Sequence, residues 1–361
     1  MAATMPPDLP AILPAASLDA LNTLAVPAIA DFLAQVDSVA QLQAVLLWWR
    51  QQQSRGVQPR PITPLGGGSN VVLAGDVKGL VLRLNILGRE VIQEDDKHVW
   101  LRVGAGENWH TFVTFCMNFH YWGLENLALI PGSVGAAPIQ NIGAYGVELR
   151  DYFAELSAVE IASGVSVNFD GDACHFGYRD SVFKQHLKDR YIITSVTFRL
   201  NKQPQTLCTY PALQQYFNDQ QLDPSSVSPQ QVFDAVCTIR NQKLPDPALI
   251  PNVGSFFKNP VVSEAQFAEL SQQHPGLVGY SHGEGQVKLA AGWLIDRAGW
   301  RGYQQGAVGV HKEQALVLVN PGRGQGKEII SLAAEIQTDI QTKYGVSLEI
   351  EPRVYGVAGP H

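Results

Sequence analysis

Residues 130–146 read IPGSVGAAPIQNIGAYG, and this stretch decides how the chain is interpreted. It contains four glycines, and the polar side chains are Ser133, Gln140, Asn141 and Tyr145. This composition favours neither an amphipathic helix nor a regular strand, so we expect it to contribute little hydrophobic core. An extended backbone laid against a large flat ligand explains the glycines, small residues and amides together. The alternative is a structural loop without a ligand.

A second glycine-rich stretch, PLGGGSN, covers residues 64–70. Three consecutive glycines before a strand allow close backbone approach to a ligand and direct N–H groups toward a phosphate. The stretch matches neither the Gly-x-Gly-x-x-Gly pattern nor a Walker loop. Taken alone, three consecutive glycines are more typical of a plain turn than of a ligand site.

Composition restricts the class of protein. A chain of 361 residues with 45% apolar and 16% charged residues is globular and long enough for two or three domains. The net charge of −7 argues against a nucleic-acid partner. Four widely spaced cysteines favour free thiols in a reducing compartment, although the sequence alone does not exclude disulfides. No histidine spacing suggests a metal site, and we expect none.

Targeting signals are not recognisable in the sequence. The longest apolar run, residues 44–49, is much shorter than the ~18 residues of a membrane span. The first basic residue is Arg50, so no positively charged segment precedes an apolar run near the N-terminus. We therefore expect a soluble, cytoplasmic protein without membrane insertion.

Capping signals and periodicity predict an α+β organisation. Ser38, Asn108 and Ser228 are each placed to begin a helix, and Gly56 to end the first one. Further helices are predicted at 263–273, 287–297 and 327–343. Strands are predicted at 71–73, 80–85, 91–93, 99–103, 154–161, 165–168, 191–200 and 346–354. No regular βαβ alternation appears, which disfavours a doubly wound dinucleotide fold.

Several separated motifs resemble the UDP-N-acetylenolpyruvoylglucosamine reductase family. They comprise the two glycine-rich stretches, VGAGENW (103–109), GLENL (123–127), FGYRDSVFK (176–184), KLPDP (243–247), GSFFKNP (254–260), KLAAGWLID (288–296), HKEQAL (311–316) and LEIE (348–351). The resemblance runs from about residue 22 to 356. The insertion that contains Tyr210 resembles the longer of the two family types.

The resemblance implies a fold and an activity. The expected fold is α+β, an FAD-binding fold of the vanillyl-alcohol oxidase (PCMH) type with two α+β subdomains and a C-terminal α+β substrate-binding domain. The expected division is a disordered tail at 1–20, a first subdomain at 21–86 to which 345–358 return, a second at 87–225 and a substrate domain at 226–344. The expected reaction is NADPH-dependent, FAD-mediated reduction of UDP-N-acetylglucosamine enolpyruvate to UDP-N-acetylmuramate in peptidoglycan synthesis. We expect non-covalent FAD and a monomer.

Three residues are the expected catalytic groups. The Arg179 guanidinium suits a carboxylate or the negative charge that develops on it, although a local pair with Asp180 is an alternative. The Ser255 hydroxyl would donate a proton, while serine at such a position is often only a turn residue. Glu351 would act at the substrate carboxylate, but Pro352 stands where the family has Val, and Glu349 is a rival on the same strand face.

The remaining expected roles follow the motifs one residue at a time. The cofactor contacts are Gly66, Gly67, Gly68, Ser69, Asn70, Pro131, Gly132, Ser133, Gly135, Ala136, Gln140, Asn141, Gly143, Ala144, Tyr145 and Gly146. The substrate contacts are Tyr178, Tyr210, Lys243, Asn259 and Gln314. The alternatives are ordinary: Lys243 as a solvated helix end and Tyr210 as a loop anchor.

Two other functions remain open at this point. One is a flavin oxidase or dehydrogenase of the same fold that acts on a hydroxy acid or sugar. It is disfavoured because the first glycine loop has no His or Cys for covalent flavin attachment. The other is a non-catalytic nucleotide-binding module, which would not require Arg179 and Ser255.

Overall fold

A computed structural model describes residues 8–53 and 60–356 and divides them into two compact units. The first unit contains the residues up to Ala16 together with Ala30–Gly67 and Lys78–Arg240. The second contains Ser17–Ile29, Gly68–Val77 and the residues from Asn241 onward. The predicted end of the first helix at Gly56 lies outside the described residues.

The described residues form eight α-helices and twenty strands. The helices are α1 (Val39–Gln53), α2 (Trp109–Asn118), α3 (Gly171–Cys174), α4 (Pro211–Asp219), α5 (Pro229–Lys243), α6 (Glu264–Gln273), α7 (Ala291–Arg297) and α8 (Gly326–Tyr344). The strands are β1 (Ile12–Ser17), β2 (Ile29–Val36), β3 (Ile62–Leu65), β4 (Val71–Leu73), β5 (Val77–Leu84), β6 (Arg89–Glu94), β7 (His98–Gly104), β8 (Gly143–Ala144), β9 (Val147–Glu148), β10 (Phe153–Glu160), β11 (Ser166–Asp170), β12 (Tyr191–Asn201), β13 (Asn252–Ser255), β14 (Val261–Ser263), β15 (Gly279–Ser281), β16 (Gln286–Leu289), β17 (Gln304–Gln305), β18 (Val308–Val310), β19 (Val317–Val319) and β20 (Arg353–Tyr355).

The first unit is built on two sheets. One has the strand order β1-β2-β5-β3, and its apolar side chains pack with Leu42, Val45, Leu46 and Trp49 of α1. The other is antiparallel with the order β11-β10-β12-β7-β6. Its core continues onto α2 through the fully buried Trp109 and Phe112. A rigid two-sheet support therefore carries the loops of this unit.

The second unit contains two small antiparallel sheets and one parallel strand pair. The sheets have the orders β13-β19-β18-β17 and β14-β16-β15, and α8 contacts β18 and β4. The last strand, β20, pairs in parallel with β4, so the end of the chain returns to a segment near residue 70.

The structure confirms the predicted α+β class, and the local helix signals are correct. The Ser38 and Ser228 hydroxyls accept hydrogen bonds from the backbone N–H groups of Gln41 and Gln231, at 3.1 and 3.3 Å. Asn108 accepts a hydrogen bond from the Thr111 N–H and begins α2. The hairpin of β10 and β11 is also as predicted.

Four other predictions are corrected. The stretch 130–146 does contribute core, because a 3₁₀ helix (Val134–Gln140) forms there and Val134, Ala137 and Ile142 are buried. The predicted helix at 287–297 begins only at Ala291, since the preceding residues pair as β16. The predicted tail at 1–20 contains β1, which hydrogen-bonds to β2 in its sheet. The predicted strand at 346–354 is reduced to Arg353–Tyr355. The three-part domain division remains a prediction.

Gly68 is a position where both backbone angle and space exclude a side chain. Its φ is +63°, and an added Cβ would lie 2.0 Å from the Leu21 carbonyl oxygen and 2.8 Å from Asn22 Cα. We expect Gly68→Ala to lower the free energy of unfolding by about 2–4 kcal/mol, measured by denaturant titration.

Gly345 offers a matched control in the same unit. Its φ is also +63°, but an added Cβ would meet no atom within 4 Å. Gly345→Ala should therefore cost only the left-handed backbone penalty of about 1–2 kcal/mol. Equal losses in the two variants would contradict the proposed steric conflict at Gly68.

Candidate active site

The two glycine-rich stretches meet in the first unit. A Cβ on Gly66 would lie 2.3 Å from the Ser133 Oγ, and one on Gly67 would lie 3.3 Å from Gly132 Cα. A third segment joins them, since a Cβ on Gly135 would lie 2.5 Å from the Ala105 Cβ. Glycine at these positions lets three segments that are distant in sequence pack at backbone distance.

The solvent-facing side of these segments fits a large ligand. The exposed residues within 64–70 and 130–146 are Gly67, Pro131, Ala136 and Gly146, none of which has a bulky or polar side chain. A planar or extended group can therefore approach the backbone closely, as the pyrophosphate and ring system of FAD require. The residues present fit the cofactor that the sequence resemblance implies.

Asn141 holds the long glycine stretch from within. It is fully buried and has a left-handed backbone with φ +42°. Its Nδ2 donates to the Glu148 Oε2 at 2.9 Å and the Gly177 carbonyl at 3.0 Å, and its Oδ1 accepts from the Arg150 N–H at 3.1 Å. These bonds engage the whole amide inside the protein. We therefore assign the Asn141 side chain a role in positioning the glycine stretch, in place of the predicted contact with the cofactor.

Two residues of the GLENL motif have positions that sequence reasoning missed. Asn126 is buried, and its Nδ2 donates to the carbonyls of Tyr145 and Leu207, both at 2.9 Å. Glu125 is also buried, where its carboxylate accepts a hydrogen bond from the Gly123 N–H, and burial raises its pKa. Asn126 thereby ties the glycine stretch to the segment before Tyr210. The signal in the sequence that could have identified Glu125 and Asn126 is the presence of polar residues inside an otherwise apolar motif.

Arg179 lies at a tight turn whose ends, Gly177 and Asp180, exchange backbone hydrogen bonds. Its φ is +53°, a conformation that costs a non-glycine residue about 1–2 kcal/mol. The Lys184 Nζ donates to the Arg179 carbonyl at 3.1 Å, and the guanidinium donates to the Gly143 carbonyl at 2.7 Å. The arginine is thus anchored to the glycine stretch, as a group with a fixed target would be.

Two predicted tyrosines are close to these residues. The Tyr178 ring centroid is 5.8 Å from the Arg179 Cζ. The ring of Tyr210, the residue before α4, makes an edge contact with the Tyr145 ring at a centroid distance of 5.4 Å. Tyr210 is 38% exposed. The first unit therefore brings Arg179, Tyr145, Tyr178 and Tyr210 together around the glycine stretch.

Ser255 ends β13 in the second unit, directly after Gly254 with φ +73°. The strand is held by the buried Asn252, whose Nδ2 donates to the Pro245 and Ile250 carbonyls and whose Oδ1 accepts from the Gly254 N–H. Ser255 itself is exposed, while the next residue, Phe256, is fully buried. A rigid strand end thus presents a hydroxyl to solvent or substrate.

The two rival glutamates have different surroundings. Glu349 is 68% exposed and its carboxylate forms an ion pair with the Lys258 Nζ. Glu351 is less exposed, and its N–H donates to the Phe256 carbonyl at 2.9 Å. Glu351 therefore lies beside the residue that follows Ser255, which places two predicted catalytic residues on paired segments of one unit.

The other predicted substrate contacts also belong to the second unit. The Asn259 Oδ1 accepts a hydrogen bond from the Ala291 N–H at 3.0 Å, where α7 begins. The Gln314 Oε1 lies 3.5 Å from the Cβ position of Gly292. Lys243 is exposed at the end of α5. The predicted cofactor contacts Ser69 and Asn70 belong to this unit as well.

All four cysteines are free thiols, and Cys116, Cys174 and Cys208 are buried. Residues 8–53 and 60–356 contain no group of three or more His, Cys, Asp or Glu side chains placed to hold a metal ion. In the same part of the chain, no helix is long and apolar enough to cross a membrane.

Two family profiles match the N-terminal and C-terminal parts of the chain. A family profile described as an FAD binding domain matches residues 30–170. A second, described as the C-terminal domain of UDP-N-acetylenolpyruvoylglucosamine reductase, matches residues 245–355. These assignments agree with the predicted FAD-binding fold and C-terminal domain.

Relatives match nearly the whole chain. A UDP-N-acetylenolpyruvoylglucosamine reductase from Burkholderia lata is 49% identical over 94% of this chain and 96% of its own. The protein of that name from Paraburkholderia phymatum is 50% identical over 92% and 94%. The crystal structure of the Thermus caldophilus reductase covers 96% of this chain and 98% of its own, with a TM-score of 0.64 at 24% identity, and so shares the fold. The chain belongs to the UDP-N-acetylenolpyruvoylglucosamine reductase family.

Proposed function

We propose that this enzyme reduces UDP-N-acetylglucosamine enolpyruvate to UDP-N-acetylmuramate, with NADPH as reductant and non-covalent FAD as carrier, in peptidoglycan precursor synthesis. The observation that carries the proposal is identity near 50% to reductases of that name over more than nine-tenths of the chain. The close packing of the glycine-rich segments supports the flavin, because it leaves an exposed surface of small residues. A flavin oxidase of the same fold is not favoured by these relatives.

Arg179 would hold the substrate and stabilise charge. FAD held by the glycine-rich segments would supply hydride chemistry here, with NADPH as the source and the terminal carbon of the enolpyruvyl double bond as the acceptor. The electron pair of that bond then moves onto the neighbouring carbon and its carboxylate. The Arg179 guanidinium, anchored on the Gly143 carbonyl, would form a charge-assisted pair with this carboxylate. Because the charge grows in the transition state, a fixed cation lowers the barrier.

Ser255 would complete the reaction with a proton. Its hydroxyl would give a proton to the carbon beside the carboxylate, forming the new C–H bond, and solvent would restore the hydroxyl. Glu351 would act at the same end of the substrate. Glu349, which is 68% exposed and forms an ion pair with Lys258, is the rival candidate for this role.

The remaining residues would bind the nucleotide. Tyr210, Lys243 and Asn259 would contact the substrate, with Tyr210 closing over the diphosphate, and Gln314 would help to hold substrate or nicotinamide. Tyr178 would shape the pocket around Arg179. A monomer without a nucleic-acid partner is part of the proposal. So is a cytoplasmic location, because NADPH and UDP-sugars are made there.

An anaerobic spectroscopic titration tests the function. The purified protein should show a flavin spectrum that NADPH bleaches and that the enolpyruvyl nucleotide restores without oxygen. Released UDP-N-acetylmuramate, identified by mass, should equal the NADPH consumed. Recovery only with oxygen would indicate an oxidase, and a colourless protein that binds no FAD would contradict the flavoenzyme assignment.

A further inference from the structure

Arg240 occupies the buried face of α5. It follows Val236 by four residues and Val232 by eight, and both valines are fully buried. Within the part of the chain that the structure describes, its Nε is a buried nitrogen without a hydrogen-bond partner. Buried polar groups almost always have a partner, and a buried charge without one is costly. The orphaned donor therefore indicates a site that a ligand completes.

The surroundings of Arg240 add a second positive charge. The Tyr145 hydroxyl lies close enough to the Arg240 side chain for each group to shift the pKa of the other. Burial lowers the pKa of Arg240, and the neighbouring Arg179 guanidinium lowers it as well, against the opposing effect of Tyr145. Burial also lowers the pKa of His110 on α2, with Arg240 as a second cause. Two guanidiniums near the glycine stretch together attract an anion.

The same short segment holds both arginines. Arg179 donates to the carbonyl of Gly143, and Arg240 lies close to the side chain of Tyr145, two residues further on. The segment belongs to the stretch whose small residues fit the flavin. An anion bound here would accordingly lie near the reacting end of the substrate.

We propose that Arg240 is a second cation for the substrate carboxylate and binds it together with Arg179. The inference rests on the proposed function. The carboxylate is the anion directly attached to the enolpyruvyl double bond, whereas the diphosphate is separated from it by the sugar ring. Negative charge grows on this carboxylate as hydride arrives, so Arg240 acts in the transition state as well as in binding. The Nε donor and its planar fork suit bidentate contact with carboxylate oxygens.

Comparing the binding of two nucleotides distinguishes a contact with the carboxylate from a contact with the diphosphate. UDP-N-acetylmuramate carries both anions, and UDP-N-acetylglucosamine carries only the diphosphate. In Arg240→Gln, the dissociation constant of UDP-N-acetylmuramate, measured from quenching of protein or flavin fluorescence, should rise at least about tenfold. The dissociation constant of UDP-N-acetylglucosamine should change less than about twofold, because this nucleotide has no carboxylate contact to lose. Equal losses for both nucleotides, or no loss for either, would overturn the assignment.

Arg102→Gln is a control with the same change of charge. Arg102 lies in β7 of the same unit, is 45% exposed and pairs with Glu90 at 3.7 Å. This variant should bind both nucleotides as the wild type does. If wild-type protein is not reoxidised by the enolpyruvyl nucleotide, the proposed function fails. If the wild type turns over and Arg240→Gln matches Arg102→Gln, only the present inference fails.

Thermal unfolding distinguishes a ligand-binding role from a structural one. Removing a buried, repelled cation should not lower the melting temperature of the ligand-free protein, whereas loss of a structural arginine should. The stabilisation that UDP-N-acetylmuramate gives the wild type should shrink in Arg240→Gln. Arg240→Lys keeps the charge without the planar fork, and it should retain part of the preference for the carboxylate-bearing nucleotide. A fall in ligand-free melting temperature with unchanged nucleotide preference in the lysine variant would contradict the proposal.

Discussion

Ser255→Ala is expected to slow reoxidation of the reduced flavin by the enolpyruvyl nucleotide about 10²–10³-fold while reduction by NADPH changes less than about twofold. The proton is needed only when the carbon beside the carboxylate acquires a new C–H bond. Hydride transfer from NADPH to FAD does not use that proton. Anaerobic stopped-flow absorbance of the flavin measures the two half-reactions separately.

The position of Ser255 makes the variant interpretable. The side chain is exposed at the end of β13, and the strand is fixed by the buried amide of Asn252. Alanine should therefore fold normally. Ser281→Ala, at an exposed serine ending β15, is the matched control and should leave both half-reactions unchanged. Equal slowing of both half-reactions in Ser255→Ala would instead indicate a general distortion of the site and would exclude the proton-donor role.

Helix starts are predictable because their signals are local. Ser38, Asn108 and Ser228 each accept the N–H of a residue three positions later, an interaction that the sequence contains in full. The hairpin of β10 and β11 is local in the same sense. The class of fold followed from these elements and from the absence of βαβ alternation.

Burial within 130–146 is not local, and the prediction failed there. Val134, Ala137 and Ile142 pack into a core whose other members include residues of α2, β7 and β12. No periodicity inside the stretch contains that information. Residues 287–289 show the same limit, because they were predicted to begin a helix but pair as part of β16 with β14 and β15.

Residue type and motif together single out Arg179, whose catalytic role stays a prediction, whereas the sequence alone says less about positions where burial decides. Asn141 is polar and lies among glycines, so it resembled a cofactor contact, yet its amide is engaged inside the protein. Arg240 carried a usable signal that was overlooked. It lies four residues after Val236 on an apolar helix stripe, where a cation requires a partner.

Glu351→Gln is expected to lower turnover about 10²–10³-fold, whereas Glu349→Gln should change it less than about threefold. The physical reason is the difference between the two carboxylates. Glu349 is 68% exposed and pairs with Lys258, so its loss removes a surface ion pair that contributes ~1 kcal/mol or less to stability. Glu351 is less exposed, and its backbone pairs with Phe256, next to Ser255. Steady-state turnover and the flavin reoxidation rate provide the measurement.

Pro352 is the reason that this pair of variants is informative. The family motif has Val at this position, and proline lacks the backbone N–H that a strand would use, so the chain could have turned Glu351 away. The N–H of Glu351 nevertheless bonds to Phe256, and the N–H of Arg353 bonds to the Asn70 carbonyl, so the backbone on both sides of the proline remains tied to neighbouring segments. The proline is thereby accommodated without releasing the glutamate. If Glu349→Gln were the slower variant, the catalytic carboxyl would belong to Glu349, and its pairing with Lys258 would have to break when substrate binds.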